Sequence, residues 1–201
     1  TTINGMAAFL DESVGNVTAA LRRSGKFDTS LIVYTPDNGG YLTQGGDDAP
    51  YRGGKFSDFQ GGVRVAAFVS GGLVPEAVRG TSNAGLVHVC DWMATFAGLG
   101  GGSLGRDDTA PGLPAPDSLD VWPMLARGAK SPRTEVPLSI LPPDRAPRAF
   151  ADYDGVGYFV GGEGLIVGDM KLLVGYQHVG PFDKVTNTTR DGLRAGGGGA
   201  W

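Results

Sequence analysis

A four-residue apolar run, Leu31-Ile32-Val33-Tyr34, is stopped by Pro36 and gives way at once to Asp37-Asn38-Gly39-Gly40; no other feature constrains the chain as much. A run that short and that apolar suits a strand buried in a parallel sheet. Asp37 and Asn38 then emerge at the strand's carboxyl end, the edge of an open α/β sheet where ligands bind. A carboxylate beside a carboxamide presents two hard oxygens suited to Ca²⁺ or Mg²⁺, and the glycines at 39 and 40 let the backbone turn away without a Cβ clash. Asn-Gly after a strand is also the commonest short hairpin signal, and a hairpin predicts an alternating strand directly after the turn. Residues 41–54, YLTQGGDDAPYRGG, show no period of two and read as a long loop of the kind that carries function in compact domains. Lys55 follows in the same glycine-rich stretch and offers a mobile positive charge to an anionic substrate.

The flanks supply an α/β frame. Ile3, Met6, Leu10, Val14, Val17 and Leu21 recur at three and four, which predicts a helix over 3–24 with one apolar face and Gly25 as its C-terminal cap. With the strand at 31–35 this forms the αβ half of a crossover unit. Residues 63–69 (VRVAAFV) read as a second strand. Asp91 is placed to cap a helix from Trp92 to about Leu99, with Met93, Phe96 and Ala97 toward the core. From about residue 134 the character changes to Pro-rich linkers, followed by an alternating stretch, YFVGGEGLIVGDMKLLVGY, that predicts an antiparallel hairpin.

Asp37-Asn38-Gly39-Gly40, Arg52-Gly53-Gly54-Lys55 and Gly61-Gly62-Val63-Arg64, in that order and spacing, resemble the second half of a sulfatase, in the manner of the animal-type arylsulfatases of the B, I and J group. Met6 to Thr18, Leu86 to Thr95, Asp120-Val121-Trp122 and Gly168 to Leu173 resemble further segments of that family. The resemblance implies an α/β fold: residues 1–130 as the second half of an alkaline-phosphatase-like mixed sheet flanked by helices, and 131–201 as part of a small antiparallel C-terminal subdomain with a flexible tail. It implies that Asp37 and Asn38 are the second pair of ligands to one divalent cation, Ca²⁺, that Lys55 is the catalytic, substrate-binding lysine on the sulfate, and that Arg64 is mainly structural. The family's nucleophile is a formylglycine hydrate made from cysteine or serine, and no Cys-x-Pro or Ser-x-Pro with an arginine two residues on occurs in these 201 residues. The first carboxylate pair and the upstream lysine and histidines are absent as well. The chain therefore reads as a fragment, with the formylglycine in a missing N-terminal half that would be its partner. The implied substrate is a sulfate ester, either an aryl sulfate or a sulfated carbohydrate, and the implied location lysosomal or secreted. A phosphodiesterase or phosphonate hydrolase of the same superfamily, or a non-catalytic sulfated-glycan binder, are the alternatives.

A net charge of −4 without a basic stripe argues against nucleic-acid binding. No run of about 18 apolar residues predicts a membrane span. Much of the content of 35 Gly and 13 Pro is concentrated in residues 98–116 and the terminal GGGGA, which read as a loop insertion and a ragged end. His88, in LVHVCDW, reads as a hydrogen-bonded, partly buried histidine, and Cys90, the single cysteine, as an inert thiol. His178 lies in a loop with no catalytic partner near it in sequence, Asp47-Asp48 reads as a solvated turn that could also shape substrate entry, and Asp107-Asp108 as loop. The sequons Asn16-Val17-Thr18 and Asn187-Thr188-Thr189 are candidate glycosylation sites, with Asn16 on the face opposite Val14 and Val17. Phe56 after Gly54-Lys55 rejects a phosphate-binding loop, and neither a dinucleotide fingerprint nor a G-x-S-x-G elbow is present.

Overall fold

Helix α1 spans Thr2–Arg23. It ends as expected at Gly25, whose φ of +68° only glycine adopts without strain, while Lys26 N–H donates to Leu21 O at 2.9 Å and closes the last turn. The computed structural model describes residues 2–102, 112, 114–140, 148–151 and 157–177, so His178, Asn187 and Asp107-Asp108 lie outside the described residues. Two compact units divide the chain, Thr1–Leu73 with Pro137–Trp201, and Val74–Val136.

In the first unit a short 3₁₀ turn over Phe27–Thr29 leads into β1 (Ile32–Tyr34), the long loop follows, and a single helical turn α2 (Gln60–Val63) precedes β2 (Phe68–Ser70). β2 pairs antiparallel with β1, Val33 opposite Val69, and Tyr34 stacks on Phe68 at 5.1 Å. Parallel pairing was the expectation for β1, and residues 63–69 were expected to be one strand. The glycines at 61 and 62 instead allow a tight helical turn, and extended pairing begins only at Phe68. A second sheet is formed by β3 (Glu135–Ser139), β4 (Arg148–Ala151), β5 (Gly157–Val167) and β6 (Met170–Tyr176), with β5 bonded to each of the others. The β5–β6 pair is the expected hairpin: Leu165 faces Leu172, and Gly168, at φ +56°, opens the two-residue turn.

The apolar stripe of α1 is not covered. Among the described residues none of this helix is buried, and Met6 and Val17 of the stripe are 66% and 57% exposed. The best-buried part of the first unit is the site loop itself, in which Gly53, Gly54, Ser57, Phe59, Gly61 and Gly62 are all buried.

In the second unit, α3 (Asp91–Leu99) and α4 (Trp122–Arg127) enclose the buried Val121 and Met124. Met93 and Phe96 are exposed rather than turned to the core, and Phe96 stacks on Trp92 at 5.7 Å. The turns of this unit are organised by polar groups, which explains why the apolar pattern misplaced that face. Asp91, fully buried, is the first residue of α3 rather than its cap. Its Oδ2 accepts from His88 N–H at 2.7 Å and Arg133 Nε at 2.6 Å, and its Oδ1 accepts from Leu119 N–H at 3.0 Å and from Arg133 Nη2. Arg133 Nη2 also donates to Asp117 O at 2.7 Å. Thr95 Oγ1 donates to Asp91 O and accepts from Val121 N–H, while Ser118 Oγ donates to Cys90 O and accepts from Ala94 N–H. The His88 and Cys90 readings agree with the geometry: His88 Nδ1 lies 2.9 Å from Cys90 Sγ. Burial first, and the Asp91 charge second, push the thiol upward, which keeps it protonated and unreactive at neutral pH.

Candidate functional site

Residues 37–62 form a loop folded back on its own beginning. Gly39 N–H donates to Gly62 O and Lys55 N–H donates to Gly40 O, both at 2.9 Å, so the lysine segment and the Gly61-Gly62 turn are each bonded directly to the Asp-Asn-Gly-Gly turn. Closeness here depends on missing side chains. A Cβ on Gly39 would overlap the Gly61 carbonyl, and one on Gly62 would overlap Ser57 O. Gly39→Ala is therefore expected to push residues 61–62 off the turn and lower stability by about 1–3 kcal/mol, read as a lower denaturation midpoint. An unchanged midpoint would show that the two segments do not approach this closely.

Asp37 is exposed and Asn38 half-buried, and among the described residues neither side chain is engaged by another protein group. Their oxygens remain open. Lys55 is half-buried, with Nζ 5.2 Å from the Phe56 ring centre and 5.9 Å from that of Tyr41, within cation–π range of both. Tyr41 follows Gly40 directly, and it meets Phe56 edge-on at 5.8 Å. Arg64 lies over the Tyr51 ring at 5.0 Å and Arg52 over Phe59 at 4.4 Å, contacts within the second half of the loop and its exit.

Asp48 differs from the solvated turn expected of it. Its Oδ1 accepts Gly40 N–H at 2.8 Å, and its Oδ2 is buried with no hydrogen-bond partner among the described residues. Asp47 does close a surface turn, on Ala49 N–H at 3.3 Å. Phe56 is the one described non-glycine residue at positive φ, +76°, a conformation that costs about 1–2 kcal/mol and sits directly beside Lys55.

Asp37 and Asn38 suit a hard dication in donor chemistry, but they are two ligands where six or more oxygens are usual for Ca²⁺. Among the described residues no group of three or more His, Cys, Asp or Glu is placed to hold a metal. The residues fit such an ion as part of its ligand set.

A strand that ends in Asp37 and Asn38, with the Lys55 loop folded back onto it, stands at the carboxyl edge where α/β domains bind ligands. The sequence profile of the family described as Sulfatase matches residues 1–102, and the chain belongs to that family. It is 37% identical over 131 residues to arylsulfatase J of Mus musculus, covering 65% of this chain and 21% of the relative, and 30% identical over 147 residues to arylsulfatase A of Homo sapiens, covering 71% and 27%. Among solved structures it resembles the PsFucS1 sulfatase of Pseudoalteromonas sp. with a TM-score of 0.56 and 25% identity, over 80% of this chain and 28% of that one. The chain thus spans about a fifth to a quarter of the length of the curated relatives it matches.

Asp58, Ser139, Lys171 and Gln177 were not singled out from the sequence, and the structure brings them together behind the loop. The available signals were the single carboxylate in residues 53–62, GGKFSDFQGG, and a charged Lys171 in an alternating strand.

Proposed function

We propose that the chain supplies part of the active site of a sulfuric ester hydrolase, with Asp37 and Asn38 as ligands to one divalent cation, Ca²⁺, and Lys55 as the residue that contacts the sulfate. The reading is carried by the return of the lysine segment onto the Asp-Asn turn through the Lys55 N–H to Gly40 O bond. When bound, the cation would polarise the sulfate and draw charge from its oxygens. Lys55 adds a second, preorganised positive charge that favours the transition state, and the glycine packing fixes where that charge stands. The formylglycine nucleophile belongs to a part of the enzyme outside these 201 residues, as do the remaining cation ligands. Residues 1–130 then complete a catalytic domain and 131–201 contribute to a C-terminal subdomain. The substrate is an aryl sulfate or a sulfated carbohydrate, and the compartment lysosomal or extracellular. No described helix is long and apolar enough to cross a membrane. Asn16 is exposed on α1 and open to glycosylation in such a compartment, and Asn187 is the second acceptor.

The test is an assay of the sulfatase containing this chain against an aryl sulfate and a phosphodiester, with and without added Ca²⁺. Turnover of the sulfate that depends on the cation is expected. Preference for the phosphodiester would move the protein to a different branch of the superfamily, and binding without turnover would make it a lectin-like homologue. Asp37→Ala is expected to release the cation, because Asn38 brings no charge to replace the lost carboxylate. Full metal occupancy in that variant would remove Asp37 from the ligand set.

A further inference from the structure

The lysine loop is held on two sides. Its front is bonded to the Asp-Asn-Gly-Gly turn, and its back rests on the second sheet through Asp58, three residues beyond Lys55. Asp58 Oδ2 accepts Ser139 Oγ of β3 at 2.5 Å and Gln177 Nε2, just past β6, at 3.4 Å, while Asp58 N–H donates to Gln177 Oε1 at 2.9 Å. Ser139 Oγ is also 2.9 Å from Gly162 O of β5, and the Asp58 Cβ packs against Gly164, where a side chain would crowd it at 3.1 Å. The Lys171 ammonium on β6 is buried and, among the described residues, has no hydrogen-bond partner. Asp58 is the charged group that acts on it. Between Lys55 and Asp58 lie the left-handed Phe56 and the Ser57 hydroxyl, which donates to Gly54 O at 2.9 Å and accepts Gly54 N–H at 3.3 Å. A residue held in a sparsely populated conformation stays there only while its surroundings fix it on both sides.

We propose that Asp58 is a positioning residue for Lys55: by clamping the back of the loop to Ser139, Gln177 and the Lys171 strand, it holds Phe56 in its left-handed conformation and the lysine at its place beside the Asp-Asn turn. The proposal rests on the reading of Lys55 as the sulfate contact. It adds that the C-terminal hairpin, remote in sequence from the catalytic segment, sets the geometry of that contact. Lys171 supports the same picture: burial lowers its pKa to about 8, and the Asp58 charge is what works against the lowering.

The experiment uses the sulfatase containing this chain. Asp58→Asn keeps the shape and loses the charge, and Ser139→Ala, which removes one donor only, covers the case in which Asp58→Asn does not fold. In both, the Lys55 amide is expected to exchange with solvent about tenfold faster or more as its bond to Gly40 O opens. In Asp58→Asn, Lys171 Nζ, followed by nitrogen-detected NMR, should titrate lower still. kcat/KM for an aryl sulfate should fall about tenfold in Asp58→Asn, with no further fall when that change is added to Lys55→Ala, because the two act through one group. Unchanged Lys55 amide exchange, or losses that multiply in the double variant, would overturn the proposal. If Lys55→Ala alone leaves kcat/KM intact, the substrate reading fails while the exchange rates still decide whether Asp58 clamps the loop.

Discussion

Lys55→Ala, made in the sulfatase containing this chain, is expected to lower turnover of an aryl sulfate by about 10²-fold or more, the loss that follows removal of one preorganised charge from an oxyanion. The size of the effect comes from where the charge is held. A lysine on an open surface keeps its hydration and adds little, whereas Lys55 is half-buried between Tyr41 and Phe56 on a loop whose backbone is bonded at Gly40. Its rotamers are restricted before any substrate arrives, so less ordering remains to be done in the transition state. Lys55→Arg is expected to recover only part of the activity, since a broad, delocalised guanidinium does not present its charge at the point a compact ammonium does. The measurement is steady-state kinetics with the fold checked by thermal denaturation, because loss of the cation–π contacts lowers stability slightly on its own account. Wild-type kinetics in Lys55→Ala would take the lysine out of the site and leave the folded-back loop as a structural feature only.

What could be read from residues alone differs between the two faces of this loop. The helix 2–23, its glycine cap, the strand into Asp37 and the C-terminal hairpin all follow from local rules: apolar spacing, a left-handed glycine, a proline stop, a two-residue turn. The glycines at 39, 61 and 62 were visible, but their use was not. Gly39 serves a close approach to residues 61–62, more than twenty positions away, and Gly61 and Gly62 one to residues 52–57, which no short-range pattern encodes. The antiparallel partner of β1 was missed for a related reason, since an apolar triplet buries equally well beside either strand direction. The exposure of Met6 and Val17 on α1 and of Met93 on α3 defeats periodicity differently: the stripe exists in the sequence, and among the described residues none of its α1 side chains is buried. Asp58 and Lys171 escaped notice because neither stands in a local motif, and they acquire meaning only from an interaction made across more than a hundred residues.

The second large effect concerns the other unit. Arg133→Met is expected to destabilise Val74–Val136 by about 3–5 kcal/mol, because it leaves the fully buried Asp91 carboxylate without its counter-charge. Asp91→Leu should cost a similar amount from the other side, stranding a guanidinium that is 8% exposed and also removing acceptors for His88 and Leu119 N–H. The double change Asp91→Leu with Arg133→Met is expected to recover part of the loss, since no buried charge then remains, although the two backbone donors stay unmet. The same pair sets an acid limit. Burial raises the Asp91 carboxyl, but the Arg133 guanidinium and the two N–H groups more than offset it and hold the group below the ordinary carboxylate range. Its contribution to stability is thus complete above the unfolded value, about pH 4, and is lost as the pH falls through the lower folded value. Denaturant titrations of wild type and Arg133→Met should accordingly separate fully above about pH 5 and draw together in acid as the carboxyl is protonated. A gap between them that is below about 1 kcal/mol at neutral pH, or that does not shrink in acid, would show that the pair is solvated and that the unit is held by its apolar residues instead.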